Sequence, residues 1–225
     1  MNLIIQKTLI ICLAFFLFPK NTMATDSLFG AVMSYCENKA CKSGSFYYHF
    51  EENVGKYCAG AAYVKSEKTK HGRITLIESM VKDAGLPVSI SVLSIVESGL
   101  DPFVRSSVDA VGIWQFKADT ATDMGLIVDS KVDERTDVKA STKAAIKYLN
   151  WLSTQFGNDL DLSIIAYNAG VGKVSRLIDK YGVSNPWLIA KGLMKGKEAE
   201  HYLAKYYGYS LAMYAEGVCD ENKIL

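Results

Sequence analysis

The chain of 225 residues has no excess of either charge, with 25 basic side chains against 24 acidic ones. Nothing in that balance draws it to nucleic acid or to an anionic membrane surface, since both need a cationic surplus. Histidine is scarce. His49, His71 and His201 lie far apart, and no pair stands at a metal-ligand spacing. No metal and no other cofactor is therefore expected. There is no internal repeat and no low-complexity tract. The apolar run from Leu9 to Phe18 falls well short of the about 20 residues that a membrane-spanning helix needs.

That run is the first feature present. Lys7 precedes it, Pro19, Lys20 and Asn21 close it, and Thr22-Met23-Ala24 offers a small-residue cleavage site. Residues 1–24 thus have the layout of a secretory signal peptide, and the protein is expected to be exported, to a periplasm if the cell has one. Retention as an uncleaved anchor is the competing reading. Cys12 sits inside the run behind the bulky Ile11 and is not expected to carry lipid. Without Lys7 and Lys20 the acidic groups are one ahead.

Export implies an oxidising compartment, and the remaining cysteines are even in number: Cys36, Cys41, Cys58 and Cys219. Two disulfides are expected. Four cysteines allow three pairings, among which sequence does not choose. The pairing favoured is Cys36–Cys41 with Cys58–Cys219, whose longer bond would tie the N-terminal segment to the last helix. A zinc site competes, but these spacings fit no common zinc pattern.

Residues 25–70 show no clean period and carry an aromatic cluster at Phe46, Tyr47, Tyr48 and Phe50. They read as a disulfide-stapled extension packed on a main domain at 71–218, with 219–225 as a tail. The main domain has helical periodicity. Ile74, Ile77 and Val81 mark one helix ending at Gly85. Pro87 opens a second, through Ile90, Leu93 and Val96 to Gly99. Residues 100–115, with Pro102 and Gly112, read as a loop holding at most a small hairpin. Ala144, Tyr148, Leu152 and Phe156 stripe a third helix over 139–156. Shorter helices are expected over 162–169 and 171–181, and a last one near 197–216 with Tyr202, Tyr206, Tyr209 and Met213 on one face.

Glu97 is the residue with chemistry to offer. It sits at the C-terminal end of an apolar helix, where the helix dipole disfavours an anion. Ile95 and Val96 beside it suggest apolar surroundings. Both effects raise a carboxyl pKa, as a general acid for glycoside cleavage requires. A solvated glutamate at a frayed helix end is the plain alternative.

The neighbouring blocks weigh against that alternative. Glu97-Ser98-Gly99-Leu100-Asp101-Pro102 is followed by Ser106 and by Gly112-Ile113-Trp114-Gln115-Phe116. Asp133-Glu134-Arg135, Ala166-Tyr167-Asn168-Ala169-Gly170 and Glu198-Ala199-Glu200-His201-Tyr202 come after. In order and separation these blocks, over residues 75–210, resemble the family-23 glycoside hydrolases, the soluble and membrane-bound lytic murein transglycosylases. Residues 25–70 match no pattern of that family.

The resemblance implies a mainly α, lysozyme-like α+β fold: a helical domain with a central active-site loop. It implies cleavage of the β-1,4 bond between N-acetylmuramic acid and N-acetylglucosamine, with 1,6-anhydromuramyl ends as product. Glu97 would act as acid and then base. Ser106, Gln115, Tyr167, Asn168 and Tyr202 would bind or orient the sugar, with Asn168 at the acetamido group and Tyr202 holding the Glu97 rotamer. Trp114 is expected to be structural, with sugar stacking as the competing role. Core packing is the plain reading of Tyr167 and Tyr202. The partner implied is the peptidoglycan glycan strand. Secretion, conjugation or division machinery is a further partner class, and a monomer is expected. Departures from the family pattern are Lys117-Ala118 where Met-Pro is common, Asp101 where Asn is common and Asp109 where Gly is common. Asp101 would cap the loop after Pro102. The rivals are a hydrolytic lysozyme or chitinase-like enzyme, with Asp101 activating water, and a catalytically silent murein-binding protein.

Overall fold

In the computed structural model the described residues are 45–193, 198–214 and Cys219. The expected signal peptide at 1–24, the Cys36–Cys41 pair and all of the 219–225 tail except Cys219 lie outside them. Among the described residues the elements are helical: α1 (Ser45–Ser66), α2 (Lys68–Asp83), a 3-10 turn (Val88–Ser91) leading into α3 (Val92–Ser98), α4 (Ala118–Asp123), a second 3-10 turn (Glu134–Thr136), α5 (Val138–Gln155), α6 (Leu160–Ala169), α7 (Val171–Tyr181), α8 (Pro186–Gly192) and α9 (Glu198–Tyr214). The fold is mainly α, as expected. The β component is reduced to isolated antiparallel bridges, with Val111 pairing to both Arg105 and Phe116, and Val128 pairing to Asp133.

The periodic apolar positions form the core. Ile74, Ile77 and Val81 of α2 are buried, as are Ala144, Leu149 and Leu152 of α5. Every residue from Ser89 to Ile95 is buried, so the short helix α3 runs through the centre of the molecule and emerges at Val96 and Glu97. α9 is buried almost all round, with Tyr202, Leu203, Ala204, Tyr206, Tyr207, Leu211, Ala212 and Met213 inside. That is the pattern of a central helix, not of a surface one.

Ser45–Ser66 forms one long helix. Its Tyr57, Ala61 and Val64 are buried in the same core as α2, α3 and α9. Small residues bring α1 and α9 together. A side chain at Gly208 would run into the Tyr57 ring, and one at Gly60 into the Tyr209 ring. The Tyr57 and Tyr209 rings meet edge to face, with centroids 5.0 Å apart. The expected Cys58–Cys219 disulfide is present and joins residues 161 positions apart. The second helix begins as a 3-10 turn, and α8, unforeseen from periodicity, is capped by Asn185, whose Oδ1 accepts from Trp187 N and Leu188 N.

Candidate active site

α3 ends because Gly99 takes the left-handed conformation, φ 60°, which only glycine adopts at little cost. The Gly99 N–H returns to Ile95 O at 2.9 Å and the Leu100 N–H to Ser94 O at 3.2 Å. Two cations of α2 hold the carbonyls beyond: Lys70 Nζ donates to Gly99 O, and Arg73 Nη1 donates to Leu100 O at 2.9 Å. Positive groups belong at this end of a helix. Ser98 Oγ donates to Ile113 O at 3.1 Å, which pins the same helix end to the central loop.

Glu97 is the penultimate residue of this helix. The Tyr202 hydroxyl of α9 donates to its Oε1 at 2.5 Å. Burial is the main influence on its carboxyl and raises the pKa from 4.5 to about 7, although the Tyr202 hydrogen bond and the positive charge of Lys205 pull the other way. Lys205 lies three residues after Tyr202 on α9 and so shares its face. The same burial, with the Glu97 charge added, holds the Tyr202 and Tyr167 hydroxyls far above the usual phenol range. Both stay protonated donors.

The central loop is built around Gly112. Its φ is 84°, and a methyl group there would run into the Arg135 carbonyl oxygen. Arg135 is buried and donates from Nη1 to Asp109 O at 3.1 Å and to Phe116 O at 3.2 Å, while Nε and Nη2 each donate to the Asp133 carboxylate at 2.8 Å. Asp109 is at φ 59°, a conformation that suits the glycine common there in the resembled family and that aspartate tolerates. Trp114 is fully buried, its Nε1 donating to Thr142 Oγ1 at 2.9 Å. It is a structural wedge, and sugar stacking by it is excluded.

The expected sugar-binding residues fall into place unequally. Tyr167 donates its hydroxyl to Trp114 O at 2.8 Å, fixing the loop against α6. Gln115, at φ 50°, donates from Nε2 to Val104 O at 3.1 Å and Gly112 O at 2.9 Å. Both amide protons are thus used within the loop, and only Oε1 is left to meet a ligand. Ser106 Oγ accepts from Val108 N at 3.3 Å and Ala110 N at 3.0 Å, which leaves its own proton to donate. Asn168 is exposed beside Tyr167 at the end of α6. Asp101 caps the loop after Pro102, its Oδ1 accepting from Phe103 N at 2.9 Å.

Residues 75–189 match the family model described as the transglycosylase SLT domain. The chain belongs to this family. Among curated relatives, membrane-bound lytic murein transglycosylase D of Escherichia coli (strain K12) is 39% identical over 102 residues, 45% of this chain and 23% of the relative. Membrane-bound lytic murein transglycosylase F of Haemophilus influenzae (strain PittEE) is 30% identical over 133 residues, 54% of this chain and 26% of the relative. The chain thus spans about a quarter of the length of these relatives.

The SLT match begins within α2 and ends within α8, so it takes in Glu97, Ser106, Gln115, Tyr167 and Asn168 but not Tyr202. The partner of Glu97 comes from a helix beyond the match. Four contributors were not singled out from sequence: Ser98, Lys70, Arg73 and Lys205. Ser98 carried a signal as the second residue of the Glu97-Ser98-Gly99 block, and Lys205 one in its i+3 spacing from Tyr202 on a helix; Lys70 and Arg73 carried none. Among the described residues no group of three or more acidic, histidine or cysteine side chains could hold a metal ion.

Proposed function

We propose that this SLT-domain protein is a lytic transglycosylase acting on peptidoglycan, with Glu97 as its one acid and base. The observation that carries the reading is the state of Glu97: a carboxyl at the end of a core helix, raised to about 7 and held by the Tyr202 hydroxyl. A group of that pKa is protonated often enough to donate near neutral pH and basic enough to take a proton back.

In the proposed reaction the Glu97 carboxyl gives its proton to the glycosidic oxygen between N-acetylmuramic acid and N-acetylglucosamine. The C1–O bond breaks with oxocarbenium character, steadied by the substrate's own N-acetyl group. The Glu97 carboxylate then takes the proton of the muramyl 6-hydroxyl as that oxygen bonds to C1. No water is consumed, and the product ends in a 1,6-anhydromuramyl ring. The internal hydroxyl has the advantage of high effective concentration. Asn168 and Ser106 would donate to the acetamido region, Gln115 Oε1 would accept from a sugar hydroxyl, and Tyr202 would fix the carboxyl. The loop-capping hydrogen bond that Asp101 Oδ1 accepts from Phe103 N gives this carboxylate a structural role, which favours this route over hydrolysis.

Murein as substrate agrees with the relatives, which are membrane-bound lytic murein transglycosylases, and the expected export signal agrees with action outside the cytoplasm. No helix among the described residues is long and apolar enough to cross a membrane. The test is a digest of purified murein by the wild type and by Glu97→Gln, followed by mass spectrometry. Anhydromuramyl fragments should appear with the wild type alone, and the variant should still sediment with murein. Equal activity of the variant would refute the role of Glu97.

A further inference from the structure

Three tryptophans occur in the chain, and they differ sharply in exposure: Trp114 is 0% exposed, Trp187 7% and Trp151 41%. Trp151 lies on α5, three residues after Tyr148 and so on the same helix face. Its indole stacks on the Tyr148 ring, with centroids 5.8 Å apart and planes 13° from parallel. Tyr148 in turn meets Tyr167 at 5.4 Å, and both contact Phe116, at 6.2 Å and 6.1 Å. A continuous row of rings therefore runs from Tyr167, within the electrostatic reach of Glu97, to an indole at the surface.

Tyr148 backs the indole in an offset, near-parallel arrangement, and Trp151 remains 41% exposed. Leaving a ring of this size in water forgoes the stabilisation of burying it. The exposed neighbours Lys147, Asn150 and Thr154 are polar or charged, so the ring is a single apolar plate in a polar surround. A flat apolar plate rimmed by hydrogen-bonding groups matches a pyranose ring, whose axial C–H bonds form an apolar face and whose edge carries hydroxyl and acetamido groups.

We infer that Trp151, supported by Tyr148, is a sugar-stacking platform that binds a pyranose of the glycan strand away from the bond being cut. The inference rests on the reading of the protein as a glycan-strand enzyme and adds a binding residue to it. Tyr167 joins the two sites. Its hydroxyl fixes the central loop, and its ring abuts Tyr148, so one strand could meet the platform and Glu97 together.

The test uses the protein carrying Glu97→Gln, titrated with peptide-free murein glycan strands by calorimetry and by tryptophan emission. Trp151 should change its emission on binding, because the other two indoles are buried. With Trp151→Phe added, binding should persist and the emission change should vanish. With Trp151→Ala added, affinity should fall about tenfold, the loss of one aromatic contact. In the otherwise wild-type enzyme Trp151→Ala should raise KM for long strands and leave kcat unchanged. Unaltered affinity in Trp151→Ala together with unchanged emission in Glu97→Gln would overturn the platform and leave the transglycosylase reading intact. Absence of strand binding by Glu97→Gln and of anhydromuramyl products from the wild type would instead overturn that reading, and the platform with it.

Discussion

Replacing Glu97 by Gln should stabilise the protein in a strongly pH-dependent way. The carboxyl has a pKa of about 7 in the folded chain against 4.5 for the free group, and burial is the main cause. The fold therefore favours the protonated form. Its contribution to stability is complete below the unfolded pKa and is lost as pH rises through the folded one. Glutamine has the same shape, can still accept from Tyr202 and carries no charge to desolvate. The stability difference, variant minus wild type, should therefore grow between about pH 4 and about pH 8 by about 3 kcal/mol at most. Part of the side chain meets water, so about 2–3 kcal/mol is expected, or roughly 5–10 °C in melting temperature for a domain of this size. Urea unfolding followed by circular dichroism at several pH values measures it, and titrating groups not coupled to Glu97 cancel in the difference. A difference that stays flat with pH would mean that Glu97 is an ordinary solvated carboxylate, and the argument for it as an acid would fail.

Other consequences follow from the same geometry. Tyr202→Phe removes a hydrogen bond that holds the Glu97 pKa down, so the alkaline limb of the kcat/KM profile should move to higher pH while the rate falls. A limb that stays in place would separate Tyr202 from the titrating group. Gly112→Ala should cost about 3 kcal/mol or more, because it strains a positive φ and drives a methyl into the Arg135 carbonyl. Denaturation at fixed pH checks this, and a neutral outcome would show that the loop can shift. Asn168→Ala should lower turnover by about tenfold or more, yet, being exposed, it should change stability by less than about 0.5 kcal/mol. A large drop in melting temperature with normal turnover would make Asn168 a structural cap instead.

Several helices of the main domain were legible in advance. α7 falls on the expected residues, and α5 and α6 within two of them, because Asp137 and Asp159 cap sharp beginnings. α1 was not legible. Its inner face mixes Tyr57, Ala61 and Val64 with Gly60, which admits the Tyr209 ring, while Gly208 of α9 admits the Tyr57 ring, so shape and not hydrophobicity marks that face. α8 escaped because it spans only Pro186–Gly192, although Asn185-Pro186 is a helix-start signal.

At the site, the helix-end position of Glu97 alone favoured a solvated glutamate; the neighbouring blocks singled it out, and its pKa depends on burial by distant elements. Tyr202 was identified by resemblance alone, and only the fold puts its hydroxyl on the carboxyl 105 residues earlier. The loop's supports, Arg135 above all, bond to backbone carbonyls of residues far away in sequence, which no local pattern encodes. The amide of Gln115 was expected to bridge sugar oxygens, and its protons are instead held by the loop.

The central claim is that Glu97 serves an internal nucleophile. The most direct measurement is a murein digest in heavy-oxygen water, with the newly formed muramyl ends analysed by mass spectrometry. The account predicts 1,6-anhydromuramyl ends without label, even with water in vast excess. Label in new reducing ends would contradict it and would make water the nucleophile, with Asp101 the first carboxylate to test as its base.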